Sequence, residues 1–192
     1  MRFLVLYLRS RRVAHGAGVA AACVVGLGLL AGDGETNRLL LAVFAVTVVC
    51  AVTATGLAGR DAALERTAAR DWRLRRAAHV VAIGGLAVAL GVTVGPPLAT
   101  EVLVRDAAGL AGLAAFGAAA LGGRLAWCVP LGWSLAATSV FLASRDMPAP
   151  LLTWPLQPAG TAPATAAACV VGLAGLLVYV ERGPATRGDA SA

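Results

Sequence analysis

Lysine is absent from this sequence of 192 residues, and all sixteen basic residues are arginine. Without lysine the chain has no phosphate-binding loop of the G-x-x-x-x-G-K-[ST] type, no Schiff-base lysine and no anchor for pyridoxal phosphate. Any nucleotide chemistry connected with this protein must therefore take place on another subunit.

Charged and aromatic residues are also scarce, at 14% and 5% of the chain. Soluble domains contain roughly 25% charged residues. The hydrophobic share is 59% and the mean hydropathy is +0.80, so the chain has too little polar surface to cover itself in water. A lipid bilayer is the expected environment. The net charge of +6 lies beside apolar runs, where membrane orientation explains it, and no nucleic-acid partner is expected.

Hydrolytic and metal-binding motifs are missing as well. The sequence has no H-E-x-x-H, no C-x-x-C pair and no acidic cluster for a divalent metal. Gly132-Trp133-Ser134-Leu135-Ala136 lacks the second glycine of a G-x-S-x-G nucleophile turn, so we expect Ser134 to bond to its own helix backbone. We expect no enzymatic activity, no cofactor and no bound metal. An intramembrane enzyme is kept as a third alternative, which requires a polar cluster within the membrane spans.

Cysteine and histidine do not suggest a metal site. The four cysteines all fall in apolar runs and are predicted to be small buried hydrophobic side chains: Cys23, Cys50, Cys128 and Cys169. His15 and His79 lie at the starts of predicted spans. A polar ring end that reaches the membrane interface explains them better than a shared metal or proton site.

Six long apolar segments predict an all-α fold, a polytopic membrane helical bundle with six transmembrane helices within residues 13–182. The predicted spans are residues 13–31, 39–59, 77–95, 107–122, 125–143 and 163–180. Residues 98–106 are predicted to connect the third and fourth spans. No aspartate or glutamate is expected inside a span, which argues against a proton-driven pump.

Three segments outside the spans have distinct compositions. Residues 1–12 are predicted to form an amphipathic interfacial helix. A cleaved signal peptide is the alternative, since VAAAC around Cys23 is similar to a lipoprotein cleavage site, but the apolar run continues beyond it. Residues 149–156 are apolar and are predicted to dip into the membrane interface. Residues 183–192 are small and polar and are predicted to be disordered.

Arginine distribution predicts the orientation. With the N-terminus inside, thirteen arginines lie on the cytoplasmic side and three lie outside, namely Arg38, Arg105 and Arg145. The opposite orientation reverses these numbers. Because cytoplasmic loops of membrane proteins carry the excess of arginine, we expect a multi-pass protein of a bacterial cell membrane with both termini in the cytoplasm.

Residues 60–76, RDAALERTAARDWRLRR, hold six of the sixteen arginines between two apolar spans. Asp61 is a suitable N-cap, and the 4-residue repeat of Leu64, Ala68 and Trp72 predicts a cytoplasmic helix over residues 61–74. The candidate partner-docking residues are Leu64, Arg66, Ala68, Arg70, Trp72 and Arg73. An interfacial helix that only satisfies the orientation rule is an equal alternative.

Small and hydroxylated residues within the spans have structural explanations. The hydroxyls of Thr47, Thr53 and Thr55 are expected to bond back to carbonyls of their own helix. Gly91 and Gly95 form a small-xxx-small pair, which would let another helix approach closely, and they are the candidate helix-packing residues.

The six-span layout, the cytoplasmic helix and the runs LERTAARDWRLRRAAH, GGRLAW and WPLQPAG resemble type-2 ABC exporter permeases and small actinobacterial membrane proteins linked to ABC transporters. The resemblance implies a separate ATPase that engages residues 60–76, and a substrate route at the interface of a homo- or heterodimer. The chain is shorter than most such permeases, so an accessory subunit of an exporter is a further alternative. The alternative function is a structural or immunity-type membrane protein that binds a membrane partner without moving a substrate.

Overall fold

The computed structural model describes residues 13–29, 34–57, 72–93, 98–144 and 150–185. Within these ranges the regular elements are six α-helices and one 3₁₀ turn. They are α1 (Val13–Leu29), α2 (Glu35–Ala54), α3 (Arg73–Thr93), α4 (Thr100–Leu121), α5 (Cys128–Ala143), the 3₁₀ turn Trp154–Leu156 and α6 (Ala162–Arg182). The predicted all-α helical bundle is confirmed.

Four of these helices, α2, α3, α4 and α6, are long enough and apolar enough to cross a membrane. The helices α1 and α5 have 17 and 16 residues and are shorter. Apart from its two ends, a helix pairs its backbone N–H and C=O groups within itself, which is why apolar runs adopt this structure in lipid. Large apolar side chains also point away from the bundle, among them Val81, Val92, Leu135, Leu142, Val170, Leu173 and Leu177. These features indicate a membrane protein.

The helix α4 lies at the centre of the bundle and contacts α2, α3, α5 and α6. Fourteen of its 22 residues are buried, compared with four of 21 in α3. Alanine and glycine predominate in α4, and such small side chains let neighbouring helices approach from several sides. Composition therefore explains why this helix, and not a leucine-rich one, is central.

The start of α4 corrects two predictions. Residues 98–106 were expected to form a connection, but the helix begins at Thr100 and not near Ala107. Glu101 and Asp106 therefore lie within a membrane-spanning candidate, and the expectation that no acidic residue would occur inside a span is wrong. The physical reason is that Asp106 has a charged neighbour and is buried by a segment about 50 residues further along the chain.

Other boundaries shift by a few residues. The helix α2 begins at Glu35 rather than near Leu39, and Arg73 is the first residue of α3 rather than the end of a separate cytoplasmic helix. The predicted interfacial helix at residues 1–12 lies outside the described residues. So do residues 61–71 of the predicted cytoplasmic helix and all but the first three residues of the predicted tail.

Each end of the bundle contains an arginine that contacts a neighbouring segment, Arg105 at one end and Arg76 at the other. The Arg105 end contains the starts of α4 and α6 and residues 150–161, which we call the strap. The Arg76 end contains the start of α3 and the ends of α2, α4 and α6. At this end α4 and α6 both terminate at a glycine with positive φ, Gly122 at 80° and Gly183 at 73°. Glycine adopts a positive φ without steric cost because it has no Cβ.

The threonine prediction is confirmed, and the cysteine prediction is confirmed in part. Thr47, Thr53 and Thr55 donate to the carbonyls of Val43, Val49 and Val52 on their own helix, at 2.8, 2.6 and 2.8 Å. Cys50 is buried and Cys128 is half-buried, but Cys23 and Cys169 are exposed on the outside of the bundle. The prediction of burial is wrong for these two, because an apolar run does not indicate which helix face points inward.

Candidate functional site

The predicted docking residues that the structure describes lie at the Arg76 end. Trp72 directly precedes α3 and Arg73 begins it, whereas Leu64, Arg66, Ala68 and Arg70 lie outside the described residues. The Trp72 carbonyl accepts from the backbone N–H of Arg76 at 2.9 Å, which forms the first turn of the helix. The guanidinium of Arg75 lies 5.1 Å from the centre of the Trp72 ring, within cation–π range. Trp72 is therefore held at the start of α3.

Arg76 connects this helix start to the end of α6. Its Nη1 donates to the carbonyl of Val180 at 3.1 Å, and its guanidinium lies over Gly183. A Cβ at Gly183 would come within 2.7 Å of Nη2, so glycine makes room for the arginine as well as ending the helix. A cation at a helix C-terminus is favourable because the last carbonyls carry partial negative charge. Arg76 thus caps a helix other than its own.

Further bonds join the remaining helix ends at the Arg76 end. Arg73 pairs with Glu181 at 2.8 Å on the surface. The Tyr179 hydroxyl donates to the Leu57 carbonyl just after α2 at 2.6 Å, and the backbone N–H of Ala185 donates to Ala118 of α4 at 3.0 Å. The docking residues that are described therefore lie beside a junction of four helices.

The Arg105 end contains polar groups that the sequence interpretation missed as a site. The Nε of Arg105 donates to Asp106 Oδ1 at 3.0 Å, and the two side chains are 2% and 1% exposed. The other guanidinium nitrogens of Arg105 donate to strap carbonyls, Nη2 to Gln157 at 2.8 Å and Nη1 to Pro158 at 3.3 Å. One arginine therefore neutralises a buried carboxylate and holds two backbone carbonyls of a distant segment.

The strap has internal structure of its own. The backbone N–H of Leu156 donates to the Thr153 carbonyl at 2.9 Å, and Gln157 Nε2 donates to Thr153 Oγ1 at 2.9 Å. Its apolar residues Trp154 and Leu156 are buried within the protein. The membrane interface was the predicted location, and protein covers them instead. The reason is Gly109 of α4, where a Cβ would come within 2.5 Å of the Trp154 ring.

Ser134 also has a different partner from the one predicted. Its hydroxyl lies 2.7 Å from Thr47 Oγ1 across the α2–α5 contact, and it does not bond to its own helix backbone. Thr47 gives its one hydroxyl proton to Val43, so Ser134 must be the donor between the two. A serine that donates its proton to a threonine is not activated as a nucleophile. This pair ties two helices together.

The described residues contain no group of three or more His, Cys, Asp or Glu that could hold a metal ion. His79 lies on α3, one helical turn after Arg75. His15 lies on α1, with its side chain outside what the structure describes. That both ring ends reach the membrane interface therefore stays a prediction.

The helix-packing candidates differ in outcome. Gly91 is buried, and a Cβ there would come within 2.9 Å of Leu103 on α4, whereas Gly95 lies outside the described residues. The closest helix contact was missed. Gly112 of α4 lies against Gly172 and Gly175 of α6, where an added methyl group would overlap the facing backbone. We call this contact the α4–α6 seam.

Comparisons with protein-family models, with curated proteins and with solved structures find no match for this chain. The resemblance to ABC exporter permeases therefore stays a prediction, and the functional argument depends on the chain's own residues.

Proposed function

We propose that this protein is a non-catalytic membrane subunit of an ABC-type exporter, either a permease or an accessory subunit. In this proposal a separate ATPase docks on residues 60–76. The observation that carries it is the junction at the Arg76 end. Trp72 lies at the start of α3, and Arg76 four residues later is bonded to the end of α6. A partner that pushes on residues 60–72 would therefore act on two membrane helices at once.

The predicted orientation in the membrane also supports docking at the Arg76 end. If the Arg76 end faces the cytoplasm, the predicted six-span topology assigns thirteen of the sixteen arginines to that side. ATP is available there, and the chain lacks the lysine that a phosphate-binding loop of its own would need. A partner ATPase would bring the nucleotide site, and this chain would bring the membrane path and the contact surface.

The seam suggests how a displacement could pass through the membrane. The helices α4 and α6 run in the same direction, and Gly112 lies directly against Gly172 and Gly175. Backbones in direct contact have little freedom to slide independently, because no flexible side chain lies between them. Movement of α6 at the Arg76 end would therefore be transmitted to α4 and to the Arg105 end. A substrate route between two copies of the chain is part of the proposal, as the family resemblance implies.

Co-purification from native membrane tests the docking surface. We expect a tagged wild-type chain to recover an ATPase subunit, and we expect Leu64→Asp and Trp72→Ala to lose most of it. Trp127→Ala is the matched control, because Trp127 is a partly exposed tryptophan in the turn after α4, on the same side of the predicted topology. Equal recovery with Trp72→Ala and Trp127→Ala would contradict docking at residues 60–76, and absence of any ATPase from the wild-type eluate would contradict the exporter assignment.

A structural or immunity-type membrane protein is the second candidate function. The closed Arg105 end favours it, because the strap covers α4 there and the α4–α6 seam is filled by backbone contact. Under this function the same co-purification recovers another integral membrane protein and no ATPase. Recovery would then depend on outward-facing residues of the spans such as Leu173 and not on Trp72.

A further inference from the structure

We infer that the strap, residues 150–161, is a reversible closure over the Arg105 end, and that Arg105 is the latch that holds it shut. The inference does not depend on which partner binds at the Arg76 end. It depends on how Arg105 is placed, on how the strap is built and on what the closed position leaves unsatisfied.

Arg105 is in an unusual position for a membrane arginine. It lies in the second turn of α4, close enough to the helix start for its long side chain to extend toward the water interface. Instead the guanidinium turns inward, and Arg105 as a whole is only 4% exposed. The two terminal nitrogens of the guanidinium donate to the backbone carbonyls of Gln157 and Pro158. These carbonyls are backbone groups, so the contact holds the main chain of the strap in one place.

A buried ion pair would stabilise a permanent closure less than apolar side chains would. Burial of Arg105 and Asp106 costs desolvation energy that their mutual attraction only partly returns, and apolar side chains of similar volume usually seal a protein more stably. Ionisable residues within membrane spans are rare and are typical of functional positions. The charges therefore fit a contact that must be able to separate and become hydrated.

The strap is built to move as one piece. The bonds of Leu156 and Gln157 to Thr153 lie within the strap and would survive its displacement. At its far end the contact is lighter, where the Gly160 N–H donates to the exposed carboxylate of Glu101 at 3.1 Å. Lifting the strap would break the Arg105 and Glu101 contacts and withdraw Trp154 from Gly109.

The closed position also leaves one donor without an acceptor. Trp154 is fully buried, and its Nε1–H has no hydrogen-bond partner among the described residues. A buried donor without an acceptor disfavours the state that contains it, and water would satisfy this donor once the strap lifts. The closed state is thus held by Arg105 and by the burial of Trp154 and Leu156 against a local cost, as a two-state closure requires.

Cysteine labelling of the purified full-length protein in detergent tests this inference. The reporter is Leu156→Cys, since Leu156 is 2% exposed when the strap is closed, and Leu151→Cys is the matched control on the same segment because Leu151 is 65% exposed. Cys23, Cys128 and Cys169 are replaced by alanine. Cys50 is retained because it is fully buried in the bundle core and therefore reports unfolding. The probe is a charged, water-soluble maleimide.

We expect the Leu151→Cys variant to be labelled at once, and the Leu156→Cys variant to be labelled slowly while Cys50 stays unmodified. Adding Arg105→Gln should accelerate labelling at position 156 about 10- to 100-fold, because hydrogen bonds from a charged donor are lost, and should leave position 151 unchanged. Arg105→Lys should be intermediate, since an ammonium keeps the charge but cannot span both carbonyls and the carboxylate.

Two results would overturn the inference. Labelling at position 156 that occurs only together with Cys50 would show that the strap opens only when the protein unfolds. An unchanged labelling rate in Arg105→Gln would show that Arg105 is not the latch. If Arg105→Gln does not fold, Arg105→Lys replaces it, because its ammonium keeps a positive charge beside Asp106 but loses part of the contact to the strap carbonyls. That variant must still accelerate labelling at position 156, and no acceleration would again contradict the latch.

Discussion

The Arg105 end and the Arg76 end both place an arginine against backbone carbonyls of a neighbouring segment, but their charged pairs lie in different surroundings. At the Arg105 end the two charged side chains are 2% and 1% exposed. At the Arg76 end the paired side chains of Arg73 and Glu181 are 61% and 56% exposed. The bond lengths are similar, at 3.0 and 2.8 Å.

Burial, not distance, decides how much each pair contributes. An exposed pair is screened by water and contributes little, whereas removing one partner of a buried pair leaves the other charge unsatisfied in a poorly polarisable environment. The Arg105 end is therefore held by its own residues. The Arg76 end keeps charged groups available to water, which is the property expected of a surface that binds a partner.

The largest expected effect is at Arg105. We expect Arg105→Gln to lower the free energy of unfolding by about 3–5 kcal/mol, because it strands the buried Asp106 carboxylate. The double variant Arg105→Gln/Asp106→Asn should recover part of the loss, since no charge then remains buried. Thermal unfolding in detergent micelles measures both. A double variant that is no more stable than the single one would contradict the account of stranded charge.

The α4–α6 seam, which links the two ends, should show the next largest effect. A methyl group in Gly175→Ala would overlap the backbone of Gly112, and overpacking of this kind costs about 1–3 kcal/mol. Gly85→Ala on α3 is the matched control, because nothing lies within 4 Å of its added Cβ, and it should be neutral or slightly stabilising. Unfolding midpoints compare the two variants. Equal effects would show that α4 and α6 are not in direct contact.

The smallest expected effect is at Arg73. Arg73→Ala should lower the free energy of unfolding by less than about 1 kcal/mol, and the difference should shrink at high salt because the pair with Glu181 is exposed. Arg124→Ala, an exposed arginine in the turn after α4, serves as the control for loss of a positive charge. A decrease in the free energy of unfolding as large as that of Arg105→Gln would mean that burial does not distinguish the charged pairs at the two ends.

The predictable part of this fold is the part that depends on local sequence. Apolar runs predicted the helices, and the threonine hydroxyls of α2 bond within their own helix, as short-range geometry requires. Arg105 and Asp106 were assigned to a connection because two adjacent charges lower the local hydropathy. Their burial depends on Gln157 and Pro158, about 50 residues away, and no local pattern reports such a contact.

Helix packing was hard to predict for a different reason. With 23 glycines in the chain, small-residue pairs occur in several helices, and Gly91–Gly95 was chosen where the seam residues were not. A usable signal was the matching spacing of Gly109 with Gly112 and of Gly172 with Gly175, three residues in each case. Two helices with the same glycine spacing can place their backbones in contact along one line.

Photo-crosslinking from position 72 in intact membranes tests whether an ATPase docks at the Arg76 end. A photoreactive amino acid at Trp72 should yield one major adduct, between this chain and a soluble-domain ATPase, and the same group at Trp127 should not. An adduct with an integral membrane protein that lacks an ATPase domain, or adducts with lipid alone, would contradict docking of an ATPase at the Arg76 end.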